Sequence, residues 1–300
     1  MSTFQKGNFL EILIARVRRL FTVVKKVRLD NVKKLLEIIE DYFEDAAIKI
    51  STRKVNEFIY YGIERDITYE AMIANEFREP HFKMITELIL QESHNCLDLG
   101  ANFGSHSLVL SDMCKKGLIY AFEPQSVVFQ CLTLNVHVNK IKNVRLFNLA
   151  IDEITGREVG IEQIRTSSAQ VNSGYSRILD SSLSHKVLTI ALDDMDLPKI
   201  DFVKMDIQGS ELKAVKGMKR ILHSDQPIIF FEVEKAHLEF RKASSKELFM
   251  ILSNMGYSIY RIENEYPSDH LAIPAGKKIT FEEKIVDHDI GKILQKIEAL

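Results

Sequence analysis

The sequence predicts an α/β protein: a mostly parallel sheet with helices on both faces, preceded by an N-terminal helical region. Two patterns carry this reading. From residue 95 onward, short apolar runs alternate with helix-length segments, the rhythm of repeated strand–helix units. Before residue 75, apolar residues recur at helical spacing instead. A chain of 300 residues with 46% apolar content has enough material for a sizeable core. Its length corresponds to about two domains of ordinary size.

Within the first 75 residues, Phe9, Leu13, Val17, Leu20, Val24 and Val27 form one stripe, with Glu11, Arg18, Thr22 and Lys25 opposite. Residues 1–28 hold seven Lys and Arg against one acidic residue. Such a basic amphipathic helix suits packing on its own protein, self-association, or peripheral contact with anionic lipid. A second amphipathic helix follows Asp30 or Asn31, with Leu35, Leu36, Ile39, Tyr42, Phe43 and Ala46 on its apolar face. Residues 68–92 also read as helical, interrupted near Pro80, because a proline disfavours α geometry at the preceding Glu79.

Strands are then expected over 95–99, 117–122, 144–149, 201–205 and 227–233, with helices over 105–114, 125–139, 210–222 and 246–255. Segments 257–262 and 271–273 read as a closing pair of strands. Residues 155–195 break the rhythm. They are rich in Ser and Gly, with strand-like flanks at 159–161 and 187–190, and read as an inserted hairpin or lid. The tail after Gly276 is charged and reads as a helix. The resulting organisation is a helical region over 1–75, a sheet domain over 76–275 and a tail over 276–300.

Charge excludes some functions. Forty Lys and Arg against forty-two Asp and Glu leave no basic excess of the kind that binds nucleic acid. No stretch of about 18 residues lacks charge, so no transmembrane helix is expected. The three cysteines, Cys96, Cys114 and Cys131, form no CxxC pair and no complete disulfide framework. With no secretory pattern at the N-terminus, a reducing, cytoplasmic compartment is expected.

The strongest chemical signal is the segment 97–105, Leu-Asp-Leu-Gly-Ala-Asn-Phe-Gly-Ser: a strand, an acid, then a glycine turn into a helix. Glycine permits the tight bend and lets a ligand approach the backbone. The spacing Gly100-x3-Gly104 is not the GxGxxG fingerprint of pyrophosphate-binding dinucleotide sites, which disfavours an NAD-linked oxidoreductase. Asp98 suits a ligand bearing a cation. Glu123 ends the next strand at the distance expected of an acid that accepts hydrogen bonds from ribose hydroxyls. Together the two acids fit S-adenosylmethionine better than a dinucleotide.

The segment Cys96–Ser107 resembles the first motif of class I S-adenosylmethionine-dependent methyltransferases. Three further segments narrow the resemblance to the FkbM family: 120–124 (Tyr-Ala-Phe-Glu-Pro), 201–211 (Asp-Phe-Val-Lys-Met-Asp-Ile-Gln-Gly-Ser-Glu) and 227–233 (Pro-Ile-Ile-Phe-Phe-Glu-Val). The segments 192–194 and 270–274 fit its closing pattern. The resemblance covers roughly residues 76–275. It implies a Rossmann-like sheet of seven strands with an antiparallel last strand, and methyl transfer to oxygen. By position it assigns Asp98, Gly100, Asn102 and Gly104 to the methionine end of the cofactor, with Ala101 and Ser105 of the same loop also counted as cofactor-binding. It assigns Glu123 to the ribose, Asn148 and Ala150 to the border of the adenine, and Asp206 to the neighbourhood of the methyl group. Glu79, in the helical lead-in, would border the same cleft. Gln208 stands where the family commonly carries an acid.

Transfer to a hydroxyl needs a group to take its proton. The catalytic candidates are Asp206, His106, Glu211 and Glu232, with Asp206 favoured because a strand-end carboxylate faces the cleft. His106 sits on the first turn of a helix, where the dipole favours neutral imidazole. Lys204, a charge inside an apolar strand, must be paired when buried, and Glu232 is its expected partner. Asp206, Glu211 and Glu232 are the acids near the cleft that would have to assemble a metal site, but no ligand spacing supports one. Glu234 and His237 show no pattern and read as surface residues. The expected partner is a small hydroxylated acceptor such as a sugar. A protein methyltransferase and a weakly active or inactive cofactor-binding assembly module are the alternatives.

Overall fold

The computed structural model describes residues 49–74, 79–161, 164, 171–175, 178–179, 185–240, 243–262, 268–277 and 294–297. The chain divides after Lys49 into two compact units, and every described element belongs to the second. The basic helix expected over 1–28 and its successor lie outside the described residues. Among the described residues no helix is long and apolar enough to cross a membrane.

The second unit opens with a hairpin, β1 (Ile50–Val55) and β2 (Phe58–Ile63), followed by α1 (Ile67–Ala74) and α2 (Pro80–Ile89). Strand–helix units follow: β3 (Cys96–Leu99), α3 (Ser105–Met113), β4 (Ile119–Phe122), α4 (Ser126–Val138) and β5 (Val144–Phe147). The insertion comprises β6 (Ala150–Ile151), β7 (Glu158–Ile161), β8 (Ile178–Leu179) and β9 (His185–Ile190). The second half has β10 (Phe202–Met205), α5 (Glu211–Gly217), α6 (Lys219–Ser224), β11 (Ile228–Glu232), α7 (Lys235–Phe240) and α8 (Ser245–Asn254). It closes with β12 (Tyr257–Ile262), β13 (Asp269–Pro274) and β14 (Leu294–Ile297).

The main sheet runs β14-β12-β13-β11-β10-β3-β4-β5. Strands β5, β4, β3, β10 and β11 are parallel, and β13 is antiparallel to both β11 and β12. These are the expected seven strands, mostly parallel with an antiparallel strand in the closing pair, and β14 is added along β12. All four residues of β3 and of β10 are buried. Successive side chains of a strand point to opposite faces, so both faces of the sheet centre are covered.

Three expectations differ from the structure. Residues 50–63 form a hairpin rather than helix. Their β-branched and aromatic residues suit a half-buried pleated surface, and Asn56 takes the left-handed turn at φ 51. Strand β2 is received by α4: the Asn139 side chain accepts from Ile59 N (2.8 Å) and donates to Ile59 O (2.7 Å). One helical turn earlier, Asn135 treats Tyr61 in the same way, at 2.6 and 3.0 Å. The single helix expected over 210–222 is two, broken at Met218 (φ −130). Beside the break, a side chain on Gly217 would lie 2.3 Å from the Asp152 carbonyl oxygen, so the helix bends where backbone passes close. In the tail, residues 294–297 are a strand that pairs antiparallel with β12 and satisfies its open backbone groups. The rest of the expected tail helix lies outside the described residues.

The insertion is the expected antiparallel hairpin, β7 on β9, extended by β6 and β8. Its loop is tied to the lead-in through Asp66, which accepts from Tyr69 N (3.0 Å) and Ser173 N (2.6 Å). Residues 172–174 are thereby held over the carboxyl ends of the parallel strands, where sheets of this kind bind ligands.

Candidate active site

Register places the site. Leu99, Phe122 and Met205 are aligned across β3, β4 and β10, so Gly100, Glu123 and Asp206 leave neighbouring strands at one sheet edge. Gly100 has φ 79, and a side chain there would meet the Asp206 carbonyl oxygen at 1.8 Å. Glycine is thus required twice over, by dihedral and by space. Gly104 (φ 91) opens α3, and Ala101 is buried behind the turn.

Glu123 lines the cleft while holding the glycine loop. One oxygen accepts from Asn102 N (3.0 Å), the other from Gln125 N (2.8 Å). Burial pushes its carboxyl up to about 7, although both backbone amides pull the other way. A carboxylate offers about four lone-pair directions, so two remain for a diol. Leu149 and Ala150 supply apolar wall beside it. A carboxylate for ribose, glycine-lined backbone and an apolar shelf in one cleft fit an adenosyl nucleoside.

Asp98 does not face that cleft. It is fully buried, accepts from Ser107 Oγ and lies 3.5 Å from Lys204 Nζ. Lys204 in turn donates to Gly100 O at 2.8 Å. Burial alone would lower the lysine pKa, but Asp98, Asp206 and Glu79 outweigh it and hold the ammonium charged. The lysine's ion pair is thus with Asp98, its cross-strand neighbour in the β10–β3 register, rather than with Glu232. Asp98 acts on the loop through this lysine. Asn148 also stands back from the cleft: its amide donates to Glu123 O (2.8 Å) and Pro124 O (3.1 Å), bracing the turn after β4.

The other end of the cleft is built from acids and imidazoles. Glu79 meets His106 Nε2 at 3.0 Å. Burial raises the Glu79 pKa, but His106, with Lys204 and His81 behind it, prevails and brings it down to about 2. Asp206 accepts from Gln208 Nε2 at 2.8 Å, so the residue replacing the family acid orients this carboxylate. Asp206 and Glu232 follow Met205 and Phe231, which are aligned across β10 and β11, so the two carboxyl groups end neighbouring strands on the cleft wall. The neighbouring Asp206 charge, burial, and the further charges of Asp269 and Glu234 hold Glu232 well above the usual carboxylate range. Glu232 lies directly opposite Asp269 in the β11–β13 register, and Asp269 pairs with His81 Nε2 at 2.7 Å. Beyond β11, Glu234 Oε2 sits 3.0 Å from His237 Nδ1.

Of the expected site residues, Glu79, Gly100, Asn102, Ser105, His106, Glu123, Ala150, Asp206 and Glu232 line this cleft. Glu211 does not: its Oε1 accepts from Ile207 N (3.1 Å) and Gly209 N (3.2 Å), closing the loop after β10, and burial pushes it up to about 7. Glu211 therefore does not join Asp206 and Glu232 on the cleft wall. Sequence reasoning missed Glu234, His237 and Asp269, and it missed Thr68 and residues 172–174 from the two elements that roof the cleft. The only linear hints were the position of Glu234 two residues past the strand-end Glu232, and the acid opening the last strand.

A family model described as the methyltransferase FkbM domain matches residues 98–259. The chain is 26% identical over 147 residues to the hexuronic acid methyltransferase AglP of Haloferax volcanii, covering 47% of this chain and 57% of that protein. The match thus spans little more than half of that relative. Among solved structures, the FkbM methyltransferase of Methylobacillus flagellatus aligns with 18% identity and a TM-score of 0.43, over 61% of this chain and 44% of that one. M. jannaschii TYW2, solved with AdoMet, aligns with 15% identity and a TM-score of 0.42, over 75% and 84%. With the family model matching more than half of its length, the chain belongs to the FkbM family of S-adenosylmethionine-dependent methyltransferases.

Proposed function

We propose that the protein transfers the methyl group of S-adenosylmethionine to a hydroxyl of a sugar or similar small polyol. The observation that carries this reading is one cleft holding the ribose-type acid Glu123 at one end and the Asp206–Glu232 carboxyl pair at the other. The hexuronic acid methyltransferase relative supports a sugar acceptor.

Bound S-adenosylmethionine supplies a methyl group already activated by its sulfonium. The residues that would hold it are Glu123 at the ribose, the backbone of 100–105 and Ala150. Glu79, anionic beside His106, adds negative charge facing a cationic ligand. Asp206, steadied by Gln208, would align the acceptor hydroxyl and take its proton. Alignment supplies much of the rate advantage in such a displacement. The roof made by Thr68 and residues 172–174 would exclude water.

The test has two parts. Calorimetry should detect S-adenosylhomocysteine binding. Methyl transfer should then appear by mass spectrometry on a panel of methyl hexopyranosides and hexuronides. The Asp206→Asn enzyme should bind S-adenosylhomocysteine within about threefold of wild type yet lose about 10²–10⁴ in kcat, the value of a placed proton acceptor. Full turnover by Asp206→Asn would overturn its role. Failure to bind S-adenosylhomocysteine would overturn the whole reading.

A further inference from the structure

Asn172, Ser173 and Gly174 reach the cleft from the insertion, and Ile67 and Thr68 reach it from α1. One side chain joins the two stretches. Asp66 Oδ1 accepts from Tyr69 N (3.0 Å), capping α1, and Asp66 Oδ2 accepts from Ser173 N (2.6 Å), 107 residues further on. The two segments run parallel here: Ile67 N donates to Val171 O (2.8 Å), and Val171 N donates to Arg65 O (3.0 Å). Asp66 and Ser173 are both buried. Arg65 takes φ 63, a left-handed conformation that persists only where the surroundings hold it.

Each side of this clasp is fastened to a different wall of the nucleoside pocket. On the α1 side, the Tyr69 ring lies against Phe103 of the glycine loop, with 5.5 Å between ring centroids, and Phe103 O accepts from Asn135 Nδ2 at 2.8 Å. On the other side, the insertion grows from Ala150 of the apolar wall, which pairs with Thr189 of β9. We propose that Asp66 is a positioning residue for the cofactor: by clasping α1 to the insertion, it holds the roof over the bound nucleoside and sets the rate at which that nucleoside leaves. The proposal rests on the cofactor reading given above.

An aspartate suits this place. Its charge sits at the N-terminus of α1, where the helix dipole favours an anion, and two backbone amides meet it, so it can be buried. Hydrogen bonds from amides to a carboxylate are of the stronger, charge-assisted kind. While they hold, the roof stands in its bound position before any ligand arrives, and no ordering cost is added on binding. Departure of the nucleoside requires the Asp66–Ser173 bond to break, which places its effect in the dissociation rate.

Chasing tritiated S-adenosylhomocysteine from the full-length protein with unlabelled ligand measures that rate. Asp66→Ser keeps an oxygen for Tyr69 N and has none that reaches Ser173, so α1 stays capped. Dissociation should become about tenfold faster, the effect of losing one hydrogen bond to a charged group. Ser173→Pro removes the same bond from its donor side, at the first residue of a 3₁₀ turn, where proline fits. Measured against Ser173→Ala, which keeps the N–H, it should show the same acceleration. The double variant Asp66→Ser with Ser173→Pro should be no faster than either single variant, since both remove one bond. A merely structural role would lower the melting temperature and the amount of complex formed, and would leave the dissociation rate of that complex unchanged. A wild-type dissociation rate in Asp66→Ser, or effects that add in the double variant, would overturn the clasp while leaving the cofactor reading intact. A wild-type protein that binds no S-adenosylhomocysteine would instead remove the reading beneath it.

Discussion

The two ends of the cleft solve opposite electrostatic problems. At the cofactor end each buried charge is met by a backbone amide or a lysine: Glu123 by two N–H groups, Asp98 by Ser107 and Lys204. These contacts hold the loop in one shape before any ligand arrives. At the acceptor end carboxylates face imidazoles and one another, as in Glu79–His106, His81–Asp269, Glu234–His237 and Asp206–Glu232. Like charges opposite each other on paired strands cost stability. The first end is held together by amide and lysine contacts, whereas the second sets acids against imidazoles and against one another.

The sharpest way to break the comparison is at the glycine loop. Gly100→Ala places a methyl group 1.8 Å from the Asp206 carbonyl in a left-handed backbone conformation. Neither strand end can retreat, since both are buried in the sheet centre. Such strain at a core position belongs to the class that exceeds about 4 kcal/mol. The melting temperature should fall by roughly 10 °C or more. S-adenosylhomocysteine binding should be lost with it, as calorimetry would show. A stable variant that still binds would mean that the loop is not preformed.

This contrast also decides what was legible from residues alone. The cofactor end is written contiguously: strand, acid, Gly100, Gly104, helix, and then Glu123 at the next strand end. Local chemistry dictates it, so spacing reveals it. The strand number and the antiparallel last strand were legible through the resemblance those motifs carry, whereas the order of the strands in the sheet was not. The acceptor end is tertiary. Glu79, His106, Glu232, His237 and Asp269 come from five separate segments and meet only because β11 lies between β10 and β13. Asp98 and Asn148 were read at the right place with the wrong orientation, because spacing does not say which way a buried polar group turns. Lys204 was rightly seen to need a partner. Strand pairing, absent from linear order, chose Asp98 over Glu232. The hairpin at 50–63 was missed for a related reason: its strands are stabilised by Asn135 and Asn139, which lie about 75 residues away.

Glu123 gives the next largest effect and joins the two ends through pH. Its carboxyl rises from 4.5 to about 7 on folding, so the folded state holds the proton more tightly than the unfolded state. Stability attributable to this group is present below about pH 4.5 and is lost as pH climbs through 7. A shift of that size corresponds to about 3 kcal/mol. Binding runs the other way. A ribose diol donates to the ionised form, so S-adenosylhomocysteine affinity should rise about tenfold between pH 6 and pH 8. In Glu123→Gln both slopes should flatten, with affinity at pH 8 lower by about 10–100-fold, as expected for hydrogen bonds to a charged group. Denaturation and calorimetry across that range measure the two slopes separately. An affinity slope that survives in Glu123→Gln would assign the titration to the acceptor end.

The smallest effect separates bracing from contact. Asn148 occupies a position where the family resemblance implies a neighbour of the adenine, yet its amide is spent on the carbonyls of Glu123 and Pro124. If bracing is its role, Asn148→Ala removes two partly buried hydrogen bonds and should cost about 1 kcal/mol. The melting temperature should drop by about 2–4 °C, while affinity for S-adenosylhomocysteine weakens by no more than about threefold. A cofactor contact would reverse the pattern, weakening binding at unchanged melting temperature. Asn148→Asp sharpens the distinction. A carboxylate has no proton to donate, and it would face two carbonyl oxygens. Bracing therefore predicts that Asp is less stable than Ala, whereas a residue that merely bordered the nucleoside at the surface would tolerate Asp as well as Ala.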